Sequence, residues 1–281
     1  MDAFDTLLRH VNEHPTLVTL WGADVKFEDI EGWEKVLKHL NLTSDTFDVN
    51  HITVKSCFRR FLKESMLNMR VIKDNWWHGY QHGIGLLAHT APIAYVLNKE
   101  VVYIASSFTA ADKGKVTCAS DPTIDNFVKF ANTHVMHDGY ECVRQVKIHN
   151  IIEYSKYTGK KVPLRVCWES EGGANCCKCE KCWRTILGIY AEGVDPLNFG
   201  FEYESFADLA ELIHKNEFLL RHNRYSRYAP MLEELRKNYT IDDVHPNLRW
   251  LYVVDINKLG NENIIKKCLR VGCRLVCSIM K

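Results

Sequence analysis

The hydrophobic pattern near the start of the chain predicts helices and strands in alternation. Apolar residues recur at i, i+3, i+4 and i+7 over 2–11, which predicts an amphipathic helix with no strand before it. The apolar run TLVTLWGAD over 16–24 predicts a buried strand that ends in a glycine turn. The elements predicted after it are, in chain order, a helix over 28–40, a strand over 48–54, a helix over 58–69, a glycine-rich turn and helix over 76–98, a strand over 100–107, and helices over 124–130, 142–157 and 183–192.

The order of these elements predicts the fold class. The segment EVVYIASS at 100–107 is an almost continuous apolar run, which is typical of a parallel strand covered on both faces. The alternation around it predicts an α/β fold, a parallel sheet with helices on both faces. After about residue 199 the pattern is mostly helical, with a weak strand signal only over 248–254. We therefore expect an α/β domain over 1–198 and a mostly helical C-terminal appendage over 199–281.

Five of the eleven cysteines are concentrated in the segment CWESEGGANCCKCEKC. Cys167, Cys176, Cys179 and Cys182 follow the spacing C-x8-C-x2-C-x2-C. Thiolates are soft ligands, and four of them can close a tetrahedral zinc site that has no open position. We therefore predict a structural zinc ion in this loop, with Cys177 as the surplus cysteine. A disulfide cluster and a redox-active pair are the alternatives.

The composition narrows the classes of function. The 281 residues are 46% hydrophobic, enough for a sizeable core, and the formal net charge is +1, so nucleic acid is not an expected partner. The longest apolar stretch is broken by His89 and Pro92, so no membrane span is expected. The odd number of cysteines and the lack of a signal segment in MDAFDTLLRH favour a reducing cytoplasm. Two C-terminal features are not expected to form a binding site. The basic segment over 221–227 is expected to be a solvated face, and Cys268, Cys273 and Cys277 are expected to be free buried thiols.

The cysteine spacing, placed after an α/β region, resembles that of the PP-loop ATP pyrophosphatases. These are adenine nucleotide alpha hydrolase-like proteins, and among them the chain resembles 7-cyano-7-deazaguanine synthase and similar proteins of bacterial polysaccharide biosynthesis, over about residues 1–195. The resemblance implies a Rossmann-like (HUP-type) fold and an ATP-dependent ligase that uses Mg²⁺. Such an enzyme adenylates a small substrate and releases pyrophosphate, after which ammonia displaces AMP. The acceptor would be a deazaguanine precursor, a sugar or another small carboxylate.

The family also implies a Ser-Gly-Gly-x-Asp-Ser loop that holds the phosphates of ATP at a helix N-terminus. Asp2 would match the Asp of that loop, and Ala3 stands where its last Ser would be. The Ser-Gly-Gly and the first strand would precede Met1, so either the true start lies upstream or the chain has lost the loop. An ATP-dependent enzyme is one hypothesis. A catalytically inactive, zinc-stabilised nucleotide- or partner-binding module is the second, and a zinc-ribbon nucleic-acid binder is a third.

Further positions match the family more loosely. The residues that the resemblance implies for nucleotide binding are Asp2, Gly22, Asp24, His82, Gly83, Gly85, Arg144 and Lys147. The glycine positions allow a backbone to approach a ligand closely, and the basic positions would face the phosphates. A plain turn at the start of a helix, and a solvated basic helix face, are the alternatives.

Polar residues after the strand over 100–107 are candidates for the acceptor site. In open α/β sheets, ligands bind beyond the carboxyl ends of the strands, which points to Ser106, Ser107, Asp112, Ser120 and Asp121. An ordinary polar loop with an Asp-Pro turn is the alternative. The expected partners are thus ATP, a small acceptor, ammonia and a second copy of the chain in a homodimer.

Overall fold

The computed structural model describes residues 1–68, 75–115, 118–167, 173–215 and 227–255. The chain divides into two compact units, one formed by 1–190 with 194–202, the other by 191–193 with the described residues from 203 onward. Residues 221–226 of the basic segment over 221–227, and the three C-terminal cysteines, lie outside the described residues. Within the described ranges, no helix has the length and apolar character needed to cross a bilayer.

Helices and strands alternate along residues 1–202, as the pattern predicts. The helices are α1 Asp2–His10, α2 Ile30–Phe47, α3 Glu64–Asn68, α4 His82–Val96, α5 Pro122–Asp125, α6 Arg144–Thr158 and α7 Glu180–Ala191. The strands are β1 Thr16–Trp21, β2 Asn50–Lys55, β3 Val101–Ala105, β4 Lys129–Phe130 and β5 Thr133–Asp138. A π-helical turn at Trp77–Gln81 leads directly into α4.

The described strands form two small sheets with mainly parallel pairing. Strand β1 pairs with β2 from Thr16 opposite Asn50 onward, and β3 pairs with β5 from Val101 opposite His134 onward. The short β4 pairs antiparallel with β5. The α/β class with parallel strands is therefore confirmed, whereas one continuous Rossmann-like sheet stays a prediction.

The hydrophobic pattern did not predict strand β5. Buried Val135 alternates with exposed His134 and Met136, so the segment lacks the apolar run that marks β3. The helix predicted over 124–130 is wrong from residue 126 onward, since α5 ends at Asp125 and β4 begins at Lys129. Pairing with β3 and β4, rather than local propensity, makes this stretch extended.

The core of the first unit places two helix N-termini side by side. Helix α1 packs against α6 and β3, while Ile148, Ile151 and Ile152 of α6 are each 1% exposed. Full burial of one such side chain contributes about 1.5–3 kcal/mol, so this face of α6 is strongly fixed. The packing brings Asp2, the first residue of α1, close to Arg144, the first residue of α6.

The described part of the second unit is helical. Its α-helices are α8 Phe206–Lys215, α9 Ala229–Asn238 and α10 Arg249–Val253. Apolar side chains such as Ile213, Leu232 and Leu235 are buried. The weak strand signal over 248–254 is wrong, because a 3₁₀ turn at Pro246–Leu248 continues into α10.

Candidate functional site

The four cysteines of the predicted quartet converge on one point. The sulfur atoms of Cys167, Cys176, Cys179 and Cys182 all lie within 4.8 Å of one another. Sγ of Cys167 is 3.8 Å from Sγ of Cys179, and Sγ of Cys176 is 3.9 Å from Sγ of Cys182. All four are free thiols, and these separations far exceed an S–S bond of about 2.05 Å, so the disulfide alternative is not supported.

The sulfur–sulfur separations fit a tetrahedral metal ion. In a tetrahedron with metal–sulfur bonds of about 2.3 Å, the corners are about 3.8 Å apart. Three of the four cysteines are buried, so water has little access to the centre. Because four thiolates complete the coordination, an ion bound here would stabilise the loop and would have no position for a substrate.

The backbone around the quartet supports the sulfur atoms. The N–H groups of Lys178 and Cys179 point to Sγ of Cys176 at 3.4 and 3.3 Å, and the N–H of Cys182 points to Sγ of Cys179 at 3.5 Å. Such donors favour the thiolate form that a metal requires.

Asn175 fixes the two ends of the loop. Its Oδ1 accepts from the N–H groups of Val166 and Cys167, and its Nδ2 donates to the carbonyl oxygens of Leu164 and Gly200. All four hydrogen bonds are made by one side chain, so this asparagine positions the first ligand, Cys167, against the segment before it.

The ionisation of the quartet is uneven. A hydrogen bond from Cys182 lowers the pKa of Cys179 to about 5, and the same bond raises the pKa of Cys182. Burial raises the pKa of Cys167 to about 11. Cys177, the surplus cysteine, is buried, and burial likewise raises the pKa of its thiol. One ligand is thus ready as a thiolate, and metal binding would release the remaining protons.

A second, charged cluster lies at the N-terminus of α1. The carboxylate of Asp2 is 3.4 Å from the guanidinium of Arg144 and 3.9 Å from Nζ of Lys147. Lys147 is buried and donates to the carbonyl oxygen of Ser106 at 2.6 Å. Burial alone would raise the pKa of Asp2, but Arg144 and the neighbouring lysines hold it well below its usual range. The structure therefore brings three predicted nucleotide-binding residues together.

Lys181 joins this cluster, and the sequence analysis did not identify it. Its ammonium interacts electrostatically with Asp2, Arg144 and Asp24, while burial lowers its pKa. Lys181 is the residue before Cys182, so the cysteine loop also contributes a residue to the charged cluster. The sequence places Lys181 between two predicted metal ligands, but only the fold shows that this lysine interacts with Asp2.

The glycine in the turn after β1 is required by packing within the protein. A side chain at Gly22 would collide with the carbonyl oxygen of Ser56, so the close backbone approach at this glycine is to the protein itself. Asp24 is exposed and lies 3.8 Å from the guanidinium of Arg59. A nucleotide contact at Gly22 and Asp24 stays a prediction.

The predicted turn at 82–85 is inside a helix. The helical backbone begins before Trp77 and runs through to the end of α4, so His82, Gly83 and Gly85 follow more than a full turn of helix. Their N–H groups are not at a helix start, which removes the reason for expecting an anion there. Gly83 instead allows the loop over 118–121 and the end of α5 to pack closely on α4.

The predicted acceptor residues mostly make internal hydrogen bonds. Ser106 is fully buried and donates to the carbonyl oxygen of Phe108, and Ser120 donates to Asp125 at 2.8 Å. Asp121 caps α5 by accepting from the N–H of Thr123.

The other two candidates for the acceptor site are Ser107 and Asp112. Ser107 is exposed at the end of β3. Asp112 forms a capping box with Thr109, in which its Oδ2 accepts from the N–H and from the hydroxyl of that residue. Ser107 is thus the candidate most accessible to a ligand, and the acceptor site stays a prediction.

Comparisons of the chain with protein-family models, with curated proteins and with solved structures found no match. The resemblance to the PP-loop ATP pyrophosphatases therefore stays a prediction. What the chain does has to be inferred from the cysteine quartet and the charged cluster around Asp2, both of which belong to the first unit.

Proposed function

We propose that the first unit binds a zinc ion at the cysteine quartet and the phosphates of ATP, with Mg²⁺, at the charged cluster. The reaction would be the adenylation of a small carboxylate or similar oxygen with release of pyrophosphate, followed by attack of a nitrogen nucleophile such as ammonia. The chain would thus act as an ATP-dependent ligase.

The observation that carries this proposal is the convergence of three cationic side chains on one carboxylate. Arg144, Lys147 and Lys181 all act on Asp2, and Lys147 is 2% exposed. Arg144 and Lys181 are half-buried, and positive charge that Asp2 does not balance is costly in such surroundings unless another anion compensates it. A polyphosphate would supply that charge, and Asp2 would face the Mg²⁺ ion that accompanies it.

The quartet supports the same proposal, because it fixes the position of Lys181. Two metal ligands, Cys179 and Cys182, flank this lysine in the sequence. A metal ion held there would orient the lysine before ATP arrives, so that little ordering is needed on binding. Zinc would have no part in the chemistry.

The test compares two lysines of one loop. Calorimetry with MgATP and with magnesium pyrophosphate should show binding to the wild type. Loss of a charge-assisted hydrogen bond costs about 1.5–3 kcal/mol, so Lys181→Gln should weaken both affinities by about tenfold or more. Lys178→Gln is the matched control, since Lys178 is exposed in the same loop. Equal binding by both variants and the wild type would exclude the cluster as the phosphate site.

The second candidate is a nucleotide-binding module without catalysis. The observation that favours it is the direct pairing of Asp2 with Arg144, which already neutralises part of the cluster. The two candidates differ in ATP–pyrophosphate exchange: the ligase incorporates labelled pyrophosphate into ATP in the presence of an acceptor carboxylate, whereas the module binds ATP and gives no exchange.

A further inference from the structure

A cysteine and two histidines form a separate cluster between α4 and the loop before α5. Sγ of Cys118 lies 3.5 Å from Nδ1 of His82 and also forms a hydrogen bond with the side chain of His78. The backbone N–H of Ser120 is a third donor to the same sulfur. His78 and His82 are four residues apart on one helical segment, so both rings face the same side.

Close backbone packing holds the two parts of this cluster together. The N–H of Ala119 donates to the carbonyl oxygen of His78 at 2.8 Å. A side-chain carbon at Gly83 would lie 2.5 Å from Oδ1 of Asp125 and 2.8 Å from the carbonyl oxygen of Ala119. Only glycine allows the helix and the loop to approach this closely, and the approach sets the distance between Cys118 and His82.

A buried acceptor lies beside the cluster. Asp125 is fully buried, and its Oδ2 accepts from Ser120 and pairs with His137 at 2.8 Å each. Its Oδ1 is also buried and, within the part of the chain that the structure describes, accepts no hydrogen bond. This oxygen lies against Gly83, and the carboxylate, through Ser120 and His137, holds the loop that carries Cys118 in place.

We propose that Cys118, with His78 and His82, is a nucleophilic site that takes an activated acyl group, such as an ester or a mixed anhydride. The Sγ thiolate forms a bond to the carbonyl carbon, and the carbon–oxygen bond to the leaving group breaks, with its electron pair going to that oxygen. When the leaving group is an alcohol, its oxygen takes a proton from one of the two histidine side chains. Water then attacks the carbonyl carbon of the thioester, and the carbon–sulfur bond breaks with its electron pair going to Sγ. One proton of the water stays on the carboxylic acid that is released, and the other returns to the histidine, or to solvent when the leaving group departed as an anion, which restores the thiolate. The site does not depend on nucleotide binding.

The surroundings of Cys118 favour the reactive form of its thiol. Burial opposes ionisation, but the hydrogen bonds from His78, His82 and the Ser120 backbone outweigh it and lower the pKa of Cys118 to about 6. At pH 6 such a thiol is about half ionised, compared with about 0.3% for an ordinary cysteine of pKa about 8.5. After correction for the lower nucleophilicity of a more acidic thiolate, the advantage in rate is about tenfold.

The first experiment measures alkylation of the folded full-length chain by iodoacetamide at pH 6. Peptide mapping gives the rate at each cysteine, and Cys57, which is exposed, is the internal reference. Cys118 should react about tenfold faster than Cys57. His82→Asn and His78→Asn should each slow the alkylation of Cys118 by severalfold while leaving the alkylation rate of Cys57 unchanged. His134→Asn, a change at an exposed position of β5, should alter neither rate.

The second experiment uses p-nitrophenyl acetate as the acyl donor. The wild type should release p-nitrophenolate in a burst and carry one acetyl group on the peptide that contains Cys118, whereas Cys118→Ser should show neither. Thermal unfolding of each variant confirms that it is folded. Labelling of Cys118 no faster than Cys57, or an acetyl burst that survives in Cys118→Ser, would overturn the proposal. Either result is independent of whether the chain binds ATP.

Discussion

Replacement of Cys179 by serine should remove the metal and destabilise the first unit. Cys179 is buried, and its Sγ is 3.8 Å from Sγ of Cys167 and accepts from the N–H of Cys182. Serine keeps the size of the side chain but replaces the thiolate with a hydroxyl, which is a poor ligand for zinc. With three thiolates left, the loop from Cys167 to Cys182 loses its common anchor.

The size of the effect follows from the length of that loop. In the chain-entropy model, cross-linking the ends of a segment of about 15 residues contributes about 3 kcal/mol. The segment from Cys167 to Cys182 is of this length, so loss of the ion should lower the free energy of unfolding by about 3 kcal/mol. For a unit of about 200 residues, this corresponds to a fall in melting temperature of about 6–12 °C.

The assay combines metal analysis with thermal unfolding followed by circular dichroism. The wild type, purified without chelator, should contain about one zinc ion per chain, and prolonged chelation should lower its melting temperature as much as Cys179→Ser does. Cys177→Ser is the matched control, because Cys177 is a buried cysteine of the same loop outside the quartet. It should retain the metal. A metal-free wild type that unfolds at the same temperature as the metal-loaded form would refute the reasoning.

Two further predictions concern stability. Gly173 has φ +72°, and a side chain there would collide with the carbonyl oxygen of Gly32. Gly173→Ala should therefore lower the free energy of unfolding, measured by chemical denaturation, by about 1–3 kcal/mol. Ala174→Gly, at the next position, is the control and should lower it by less. Burial lowers the pKa of His39 to about 4, so the unfolded state binds more protons between pH 4 and 6.5. Stability should therefore rise as pH increases through this range, by up to about 3 kcal/mol, and His39→Phe should flatten the profile. An unchanged pH profile in His39→Phe would contradict this assignment.

Elements with strong local periodicity were predictable from the sequence. Helix α1 and strand β3 lie within about two residues of their predicted bounds, because amphipathic spacing and a continuous apolar run each specify one backbone geometry. Strand β5 carries no such pattern, since His134 and Met136 face outward and only its pairing makes it a strand. Helix α4 differs for another reason: the chain is already helical at Trp77, before the glycines that were expected to form a turn.

The sequence by itself determined the cysteine quartet. Its ligands lie within one loop, so spacing alone limits how their sulfur atoms can meet. Only the tertiary structure decided that Lys181 interacts with Asp2, and that Cys118 contacts His82, which is 36 residues away in the sequence. Contacts of this kind depend on how helices pack and where a distant loop returns, and short-range periodicity carries no information about either.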